Sequence, residues 1–256
     1  ERGLVKDFKN ISLDEKAYTK GHHYATILID GDTNTVLDMV EGRKEEDTKK
    51  LFINVSGETK QPQLNRVNMD MWKPFLNTIK SIAPQATIVH DKFHLFKMLS
   101  EAIDKTRRKE VKNNPQLKGQ KYTVLKNADN RTENQQSIFE QLIKDNLKTS
   151  QAWLIRENFK GVFTDKQNAE SNYKQWKENA LTFSIHAVNK VIATFDRHLK
   201  GIINAIITST SSAKHENKNG AIQSVIAKAR GFRNFERFRI NTLFYFGNLN
   251  LVPQNI

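Results

Sequence analysis

Two aspartates have the types and spacing needed to share a metal ion, and a third acidic residue lies late in the chain. Asp14 follows the alternating apolar residues Ile11 and Leu13, and we expect it to close the first strand. Asp70 closes a later predicted strand, RVNMD, and Glu216 lies on a predicted helix near the end of the chain. If the two strands are neighbours, both aspartates emerge at one edge of the sheet. Hard cations such as Mg²⁺ prefer carboxylate oxygens, water and phosphate, so the pattern indicates phosphoryl transfer.

The elements that must position these acids follow from the spacing of apolar residues. YATILID and TVLDMV flank the turn-rich GDTN and predict a hairpin, and ATIVH predicts a further strand. RKEEDTKKLFI and MWKPFLNTIKSI have a helical period. A meander followed by strands that alternate with helices predicts an α/β fold with a mixed sheet flanked by helices.

After Asp91 the apolar period is helical, as in the face formed by Leu95, Leu99 and Ile103. The segment between Asp91 and Glu216 is too long for a loop and predicts a helical subdomain. We expect a loop at 111–131 and helices at 134–146, 150–159, 166–181, about 184–207 and within 208–231.

Composition and charge restrict the classes of function. The 256 residues carry 41 basic and 28 acidic side chains, a net charge of +13, and no Cys. Because these 256 residues include no Cys, they cannot form a disulfide, a thiolate zinc site or a thiol nucleophile. No apolar run reaches the roughly 18 residues of a membrane span.

Basic residues are concentrated in two parts of the chain. Residues 91–130 have ten basic and five acidic side chains, and residues 211–256 have seven and two. This clustering indicates a polyanionic partner, most economically DNA, with an ordinary solvated basic surface as the alternative. The side chains predicted to bind backbone phosphates are Lys105, Arg107, Arg108, Lys109, Lys214, Lys228, Arg230, Arg233, Arg237 and Arg239. The interleaved Phe232, Phe235 and Phe238 are expected to pack in the core.

Three collinear segments carry a family resemblance. LDEKAYTKGHHYATILID, VNMDMWKPFLNTIKSIAPQATIVHDKFHLFKMLSEAIDKTRRKE and AKHENKNGAIQSVIAKARGFRNFERFRINTLFYFGNLNLVP resemble the DDE transposases of the ISL-three family of bacterial insertion sequences. The resemblance implies an RNase H-like fold whose sheet is interrupted by an all-helical insertion before the last catalytic helix. It implies three parts, with core segments at 1–94 and 211–256 and the insertion at 95–210.

The resemblance also implies a catalytic trio and its surroundings. It assigns Asp14 and Glu216 to a site for two Mg²⁺ ions, which Mn²⁺ would replace. For the second aspartate it leaves Asp70 and Asp91, and we assign Asp70 to the metals because it ends the fourth strand. Asp91 and His94, in a D-x-x-H element, and Asn219 then have supporting roles. The implied partner is double-stranded DNA, which the protein binds as a homodimer. The implied location is the bacterial cytoplasm, in association with the nucleoid.

Other interpretations remain open at this point. An aspartate after a strand is often a turn or helix cap, and Glu15 is expected to be solvated or paired with Lys16 or Lys20. The chain differs from family members in having Asn217 after Glu216 and in lacking a zinc-binding and a helix-turn-helix segment, and the sequence begins without Met. We therefore expect a catalytic core from a longer protein. The alternatives are an inactive DNA-binding remnant or regulator, and an RNase H-like nuclease or resolvase.

Overall fold

A computed structural model describes residues 8–249 except 20, 22, 59–61, 209–211 and 230, and at 212–219 it describes only the backbone. Five strands are present in the described chain: Asn10–Ala17 (β1), Tyr24–Asp30 (β2), Val36–Glu41 (β3), Arg66–Met69 (β4) and Thr87–His90 (β5). The α-helices are Glu45–Ser56 (α1), Lys73–Ile82 (α2), Lys92–Glu110 (α3), Lys121–Leu125 (α4), Glu133–Lys144 (α5), Lys148–Phe159 (α6), Ala169–Thr182 (α7), His186–Arg197 (α8), Leu199–Thr208 (α9), Ser212–Lys228 (α10) and Phe235–Phe246 (α11). Short 3-10 turns occur at Pro115–Leu117, Ala128–Asn130 and Lys160–Phe163.

The strands form one mixed sheet in the order β3-β2-β1-β4-β5. β1, β2 and β3 are antiparallel neighbours, whereas β4 is parallel to β1 and β5 is parallel to β4. The short turn after Asp30 permits the antiparallel hairpin, and the helices α1 and α2 supply the longer crossovers that parallel strands need. The predicted α/β class with a mixed, helix-flanked sheet is confirmed.

Alternating side chains give the sheet two apolar faces. One face packs Leu13, Val67 and Met69 with apolar residues of α1 and α2. The other packs Ile27 and Ile29 with apolar residues of α10 and α11. Because strand side chains alternate, residues next to each other in sequence face different helix layers. Phe232 and Phe238 are buried in the second face, with Phe235 packed against it, as predicted.

The chain divides into two compact units, which are residues 1–91 with 210–256, and residues 92–209. In the second unit every element from α3 to α9 is helical. Its interior includes the mutually contacting rings of Phe159, Trp176 and Phe195. Two predictions there were wrong: 111–131 contains α4 and two 3-10 turns, and the long helix predicted at 184–207 is broken at His198 into α8 and α9.

Candidate active site

Three aspartates occupy successive register positions on neighbouring strands. Leu13 of β1 pairs with Met69 of β4, which in turn pairs with His90 of β5. The residue that follows each member of this paired row is an aspartate. These residues are Asp14 after Leu13, Asp70 after Met69 and Asp91 after His90. The backbone N–H of Asp91 donates to the Met69 carbonyl at 3.1 Å, which continues the ladder. Neighbouring strands are about 4.8 Å apart, so Asp14 and Asp70 are adjacent, whereas Asp91 is one strand further from Asp14.

Alternation places this row on the face of the sheet that packs against α10. Leu13 and Met69 belong to the opposite apolar face, so the residues that follow them point to the α10 side. Ile27, the cross-strand partner of Asp14, packs with Ile222 of α10. The same layer therefore holds the aspartates and the helix that carries Glu216.

Asp14 lies inside a strand, which corrects one prediction. The polar residues after Leu13 suggested that the strand ended there, but β1 continues to Ala17 because the hairpin pairs Ala17 with Tyr24. The residue is 6% exposed, and its Oδ1 accepts a hydrogen bond from the Glu15 N–H at 2.8 Å. Its Oδ2 is buried and accepts no hydrogen bond from the described residues, although Lys16 Nζ lies 2.9 Å away as an ion pair.

Asp70 directly follows β4, as predicted, and also stabilises the start of a helix. Its Oδ1 accepts a hydrogen bond from the backbone N–H of Trp72, the residue before α2. This is the turn-capping geometry expected of an aspartate after a strand. One carboxylate oxygen therefore has a structural role, and this role is compatible with metal binding because a carboxylate has several lone pairs.

Glu15 has a different partner from the one expected. Its carboxylate accepts hydrogen bonds from Arg43 at 3.2 and 3.4 Å, whereas Lys16 pairs with Asp14. Burial raises the pKa of Glu15, Arg43 opposes the rise, and the charges of Asp70 and Asp14 add to it. Asp70 is near enough to act on Glu15 because β4 is the parallel neighbour of β1.

Arg43 and Trp72, next to Glu15, were not identified from the sequence. The Arg43 guanidinium lies 4.0 Å from the Tyr24 ring centre and 4.9 Å from that of Trp72. Trp72 Nε1 donates to the Arg43 carbonyl at 2.9 Å. Arg43 lies in a loop far in sequence from Trp72, so only the fold reveals their contact. The D-M-W segment was the sole sequence signal.

The remaining predicted site residues lie in two places. The side chains of Lys214, Glu216 and Asn219, and all of Arg230, lie outside the described residues, so their convergence with the aspartates stays a prediction. His94 is half-buried in the first turn of α3, in the 92–209 unit, with its ring edge-on to Phe93 at 5.7 Å.

The predicted phosphate-binding residues fall into two classes. Those on the described surface are Lys105, Arg108, Lys109, Lys228, Arg233 and Arg237. Arg107 is 13% exposed and binds Asp104 through Nε at 2.9 Å and Nη2 at 2.8 Å. Arg239 binds the buried Asp38 at 2.9 and 3.3 Å. These contacts favour structural roles for Arg107 and Arg239 over the predicted DNA contacts, because their guanidinium groups are already engaged by carboxylates.

Comparison with known proteins identifies the family. A family model described as a transposase, the DDE type of the ISL3 elements, matches residues 11–242. The chain belongs to the ISL3 family of transposases. It is 27% identical over 242 residues to the transposase for insertion sequence element IS1001 of Bordetella parapertussis. It is 23% identical over 257 residues to the transposase for insertion sequence element IS1557 of Mycobacterium tuberculosis.

Each alignment covers 89% of this transposase chain and 58% of the relative, so the chain spans little more than half the length of these relatives. No solved structure matches the chain. No described helix of the transposase has the length and apolar character needed to cross a bilayer.

The donor set of the transposase suits a hard cation. Asp14 offers a buried oxygen without a hydrogen bond, and Asp70 lies at the adjacent register position. Among the described residues no group of three His, Asp or Glu side chains is arranged to hold a metal ion, and Glu216 is not among those side chains. Asp14 and Asp70 are thus donors of the kind that a hard cation binds, and their membership in the implied trio stays a prediction.

Proposed function

We propose that this chain is the catalytic core of a transposase that cleaves DNA at transposon ends and joins the freed strand to target DNA. The observation that carries the proposal is the register that sets Asp14 beside Asp70 on the sheet face that packs against α10. The mixed sheet with β1 at its centre supports an RNase H-like core, and the helical 92–209 unit supports an insertion within it.

Asp14, Asp70 and Glu216 would hold two Mg²⁺ ions, or Mn²⁺ in their place. Such ions activate water or a 3′-hydroxyl and stabilise the oxygen that leaves phosphorus. Asp14 is held by the β1 backbone and by the Glu15 N–H, so its carboxylate is oriented before metal arrives. Asp70 is held by the Trp72 N–H at the start of α2. Asp91, at the outer position of the row, would support Asp70, and His94 and Asn219 keep their proposed supporting roles.

DNA would be bound mainly through its backbone. Lys105, Arg108 and Lys109 at the end of α3 are exposed, as are Lys228, Arg233 and Arg237. Such side chains position a duplex on the protein without reading its sequence. A DNA substrate would place the protein with the bacterial nucleoid in the cytoplasm, and cutting two transposon ends would require two active sites, as in a homodimer on DNA.

The proposal is tested with the full-length transposase and element-end DNA. We expect Asp14→Asn, Asp70→Asn and Glu216→Gln each to abolish Mg²⁺-dependent nicking while DNA affinity in chelator is unchanged or slightly tighter. Asp129→Asn, at an exposed position in the 92–209 unit, is the matched control and should nick normally. Nicking at the wild-type rate by Asp70→Asn would exclude a metal-binding role for Asp70. If Asp91→Asn abolished nicking and Asp70→Asn did not, Asp91 would be the second metal-binding aspartate. DNA binding without nicking by the wild type would favour the inactive remnant.

A further inference from the structure

We propose that Lys16 is a built-in counter-ion of the metal site, which neutralises Asp14 when no metal is bound and competes with metal for it. The inference rests on the proposed function and concerns the regulation of that same site. Lys16 Nζ lies 2.9 Å from Asp14 Oδ2, and the two side chains are 20% and 7% exposed. Lys16 is therefore a positioning residue that acts through Asp14.

The strand geometry accounts for this contact. Asp14 and Lys16 are two positions apart on β1, so both face the α10 side of the sheet. Glu15, between them, faces the other layer and pairs with Arg43. Lys16 is thus kept from Glu15 by strand alternation and reaches the aspartate, although the sequence DEK suggests either pairing.

A buried carboxylate needs a counter-charge in the absence of metal. Asp14 Oδ2 accepts no hydrogen bond from the described residues, so the ammonium group of Lys16 is the charge that offsets its burial there. A lysine bears a compact charge on a flexible stem, so its ammonium group can leave the carboxylate without a movement of the strand. Metal binding to Asp14 would therefore displace the ammonium group, which can move into solvent or to a phosphate oxygen of bound DNA.

The test measures Mn²⁺ affinity directly, by titration calorimetry on the full chain in the absence of DNA. We expect Lys16→Gln to bind Mn²⁺ roughly three- to tenfold more tightly than wild type, because the competing charge is gone. Lys16→Arg retains the charge and should bind no more tightly than wild type. Lys49→Gln removes the same charge from an ion pair with Glu45 on α1 and is the matched control, which should stay near wild type.

Thermal unfolding in chelator gives a second readout. Lys16→Gln should melt at a lower temperature than wild type, because Asp14 loses its counter-ion, and Mn²⁺ should raise its melting temperature by more than it raises that of wild type. Lys16→Met serves the same purpose if the Gln variant does not fold.

The possible failures are distinguishable. If Asp14→Asn weakens Mn²⁺ binding but Lys16→Gln does not tighten it, the counter-ion role is wrong and the metal site stands. If neither wild type nor Lys16→Gln binds Mn²⁺, the proposed metal site is wrong, and so is the counter-ion role that rests on it. If Mn²⁺ binds and Asp14→Asn leaves the affinity unchanged, the proposed metal site itself is wrong.

Discussion

Two neighbouring arginines at the end of α3 show how little the charge of a residue says about its role. Arg107 and Arg108 both bind Asp104, yet their side chains are 13% and 64% exposed. Arg107 also reaches the Leu117 carbonyl at 3.5 Å. The helical period turns one arginine toward the interior of the 92–209 unit and leaves the other facing solvent, so the basic run in the sequence contains side chains in two different environments.

We expect Arg107→Ala to lower the free energy of unfolding by about 1–3 kcal/mol, since Asp104 is buried and loses its better partner. Arg108→Ala should change it by less than about 0.5 kcal/mol, because exposed ion pairs contribute little. Urea denaturation of both variants measures the difference. Equal losses would show that Arg107 is not structural.

The surroundings of Tyr18 predict how the stability of the folded protein changes at alkaline pH. Its buried hydroxyl donates a hydrogen bond to Glu41, and its ring stacks on Phe238 at 5.7 Å. Burial, followed by the hydrogen bond to Glu41 and its charge, raises the pKa of Tyr18 to about 12. The folded state keeps the phenol proton to a higher pH than the unfolded chain, whose tyrosine pKa is about 10, so this stabilisation is complete below pH 10 and is lost as pH rises toward 12.

Tyr18→Phe should therefore be less stable than wild type by about 1–2 kcal/mol at pH 8, because it lacks the hydrogen bond to a charged group. The difference between the two proteins should narrow between pH 10 and 11. Urea denaturation at pH 8, 10 and 11 measures it. A gap that is constant over this range would mean that the Tyr18 proton does not differ between the folded and unfolded states.

Among the elements, α11 is linked to the sheet by an ion pair that the sequence did not predict, in addition to its apolar packing. Arg239 of α11 binds Asp38 of β3 through two hydrogen bonds, and the partners are about two hundred residues apart in the chain. The side chain of Asp38 is 8% exposed and that of Arg239 is 29% exposed. The consequences of removing each partner should therefore be unequal.

We expect Arg239→Ala to cost about 3 kcal/mol of unfolding free energy, because it leaves a buried carboxylate without its counter-charge. Asp38→Ala should cost less, since the exposed part of the Arg239 guanidinium can be hydrated. The double variant should cost less than the sum of the two. Denaturation of all three measures the coupling, and strict additivity would mean that the pair does not stabilise the helix on the sheet.

The elements also show what sequence can predict. The strands, α1, α2 and the C-terminal helices follow from alternation and helical period, and those local signals agree with the final packing. The end of β1 was misjudged because DEK is polar, whereas pairing across the hairpin decides where β1 ends. His198, at the break between α8 and α9, is neither Gly nor Pro, and the apolar period continues across it, so the helical period did not reveal the break.

The candidate site, like the fold, was predictable from the sequence only where a local pattern decides the structure. Asp70 follows β4 as a local pattern indicates, but the adjacency of Asp14 and Asp70 depends on the register of parallel strands, which no local signal contains. The contact between Arg43 and Trp72 depends on how the fold brings two distant loops together, whereas the pairing of Lys16 with Asp14 follows from strand alternation.

For the whole molecule, charge is unevenly divided between the two units. Residues 92–209 carry 21 basic and 12 acidic side chains, which is most of the net charge of +13. If the exposed group at the end of α3 contacts DNA, affinity for unrelated duplexes should fall steeply with salt, because bound phosphates release counter-ions. The loss should not depend on DNA sequence.

The decisive comparison is between two triple variants with the same net charge. One replaces Lys105, Arg108 and Lys109 by Ala, and the other replaces Lys44, Lys50 and Lys80, which are exposed lysines at the start of α1, on α1 and on α2. We expect the first to flatten the plot of log affinity against log salt by about one unit for each lost phosphate contact, and the second to leave the slope near that of wild type. Equal flattening in both would mean that DNA affinity depends on the net charge alone. Unchanged slopes in both would mean that Lys105, Arg108 and Lys109 are ordinary solvated side chains without phosphate contacts. Fluorescence anisotropy in chelator at several salt concentrations separates these outcomes from any effect on cleavage.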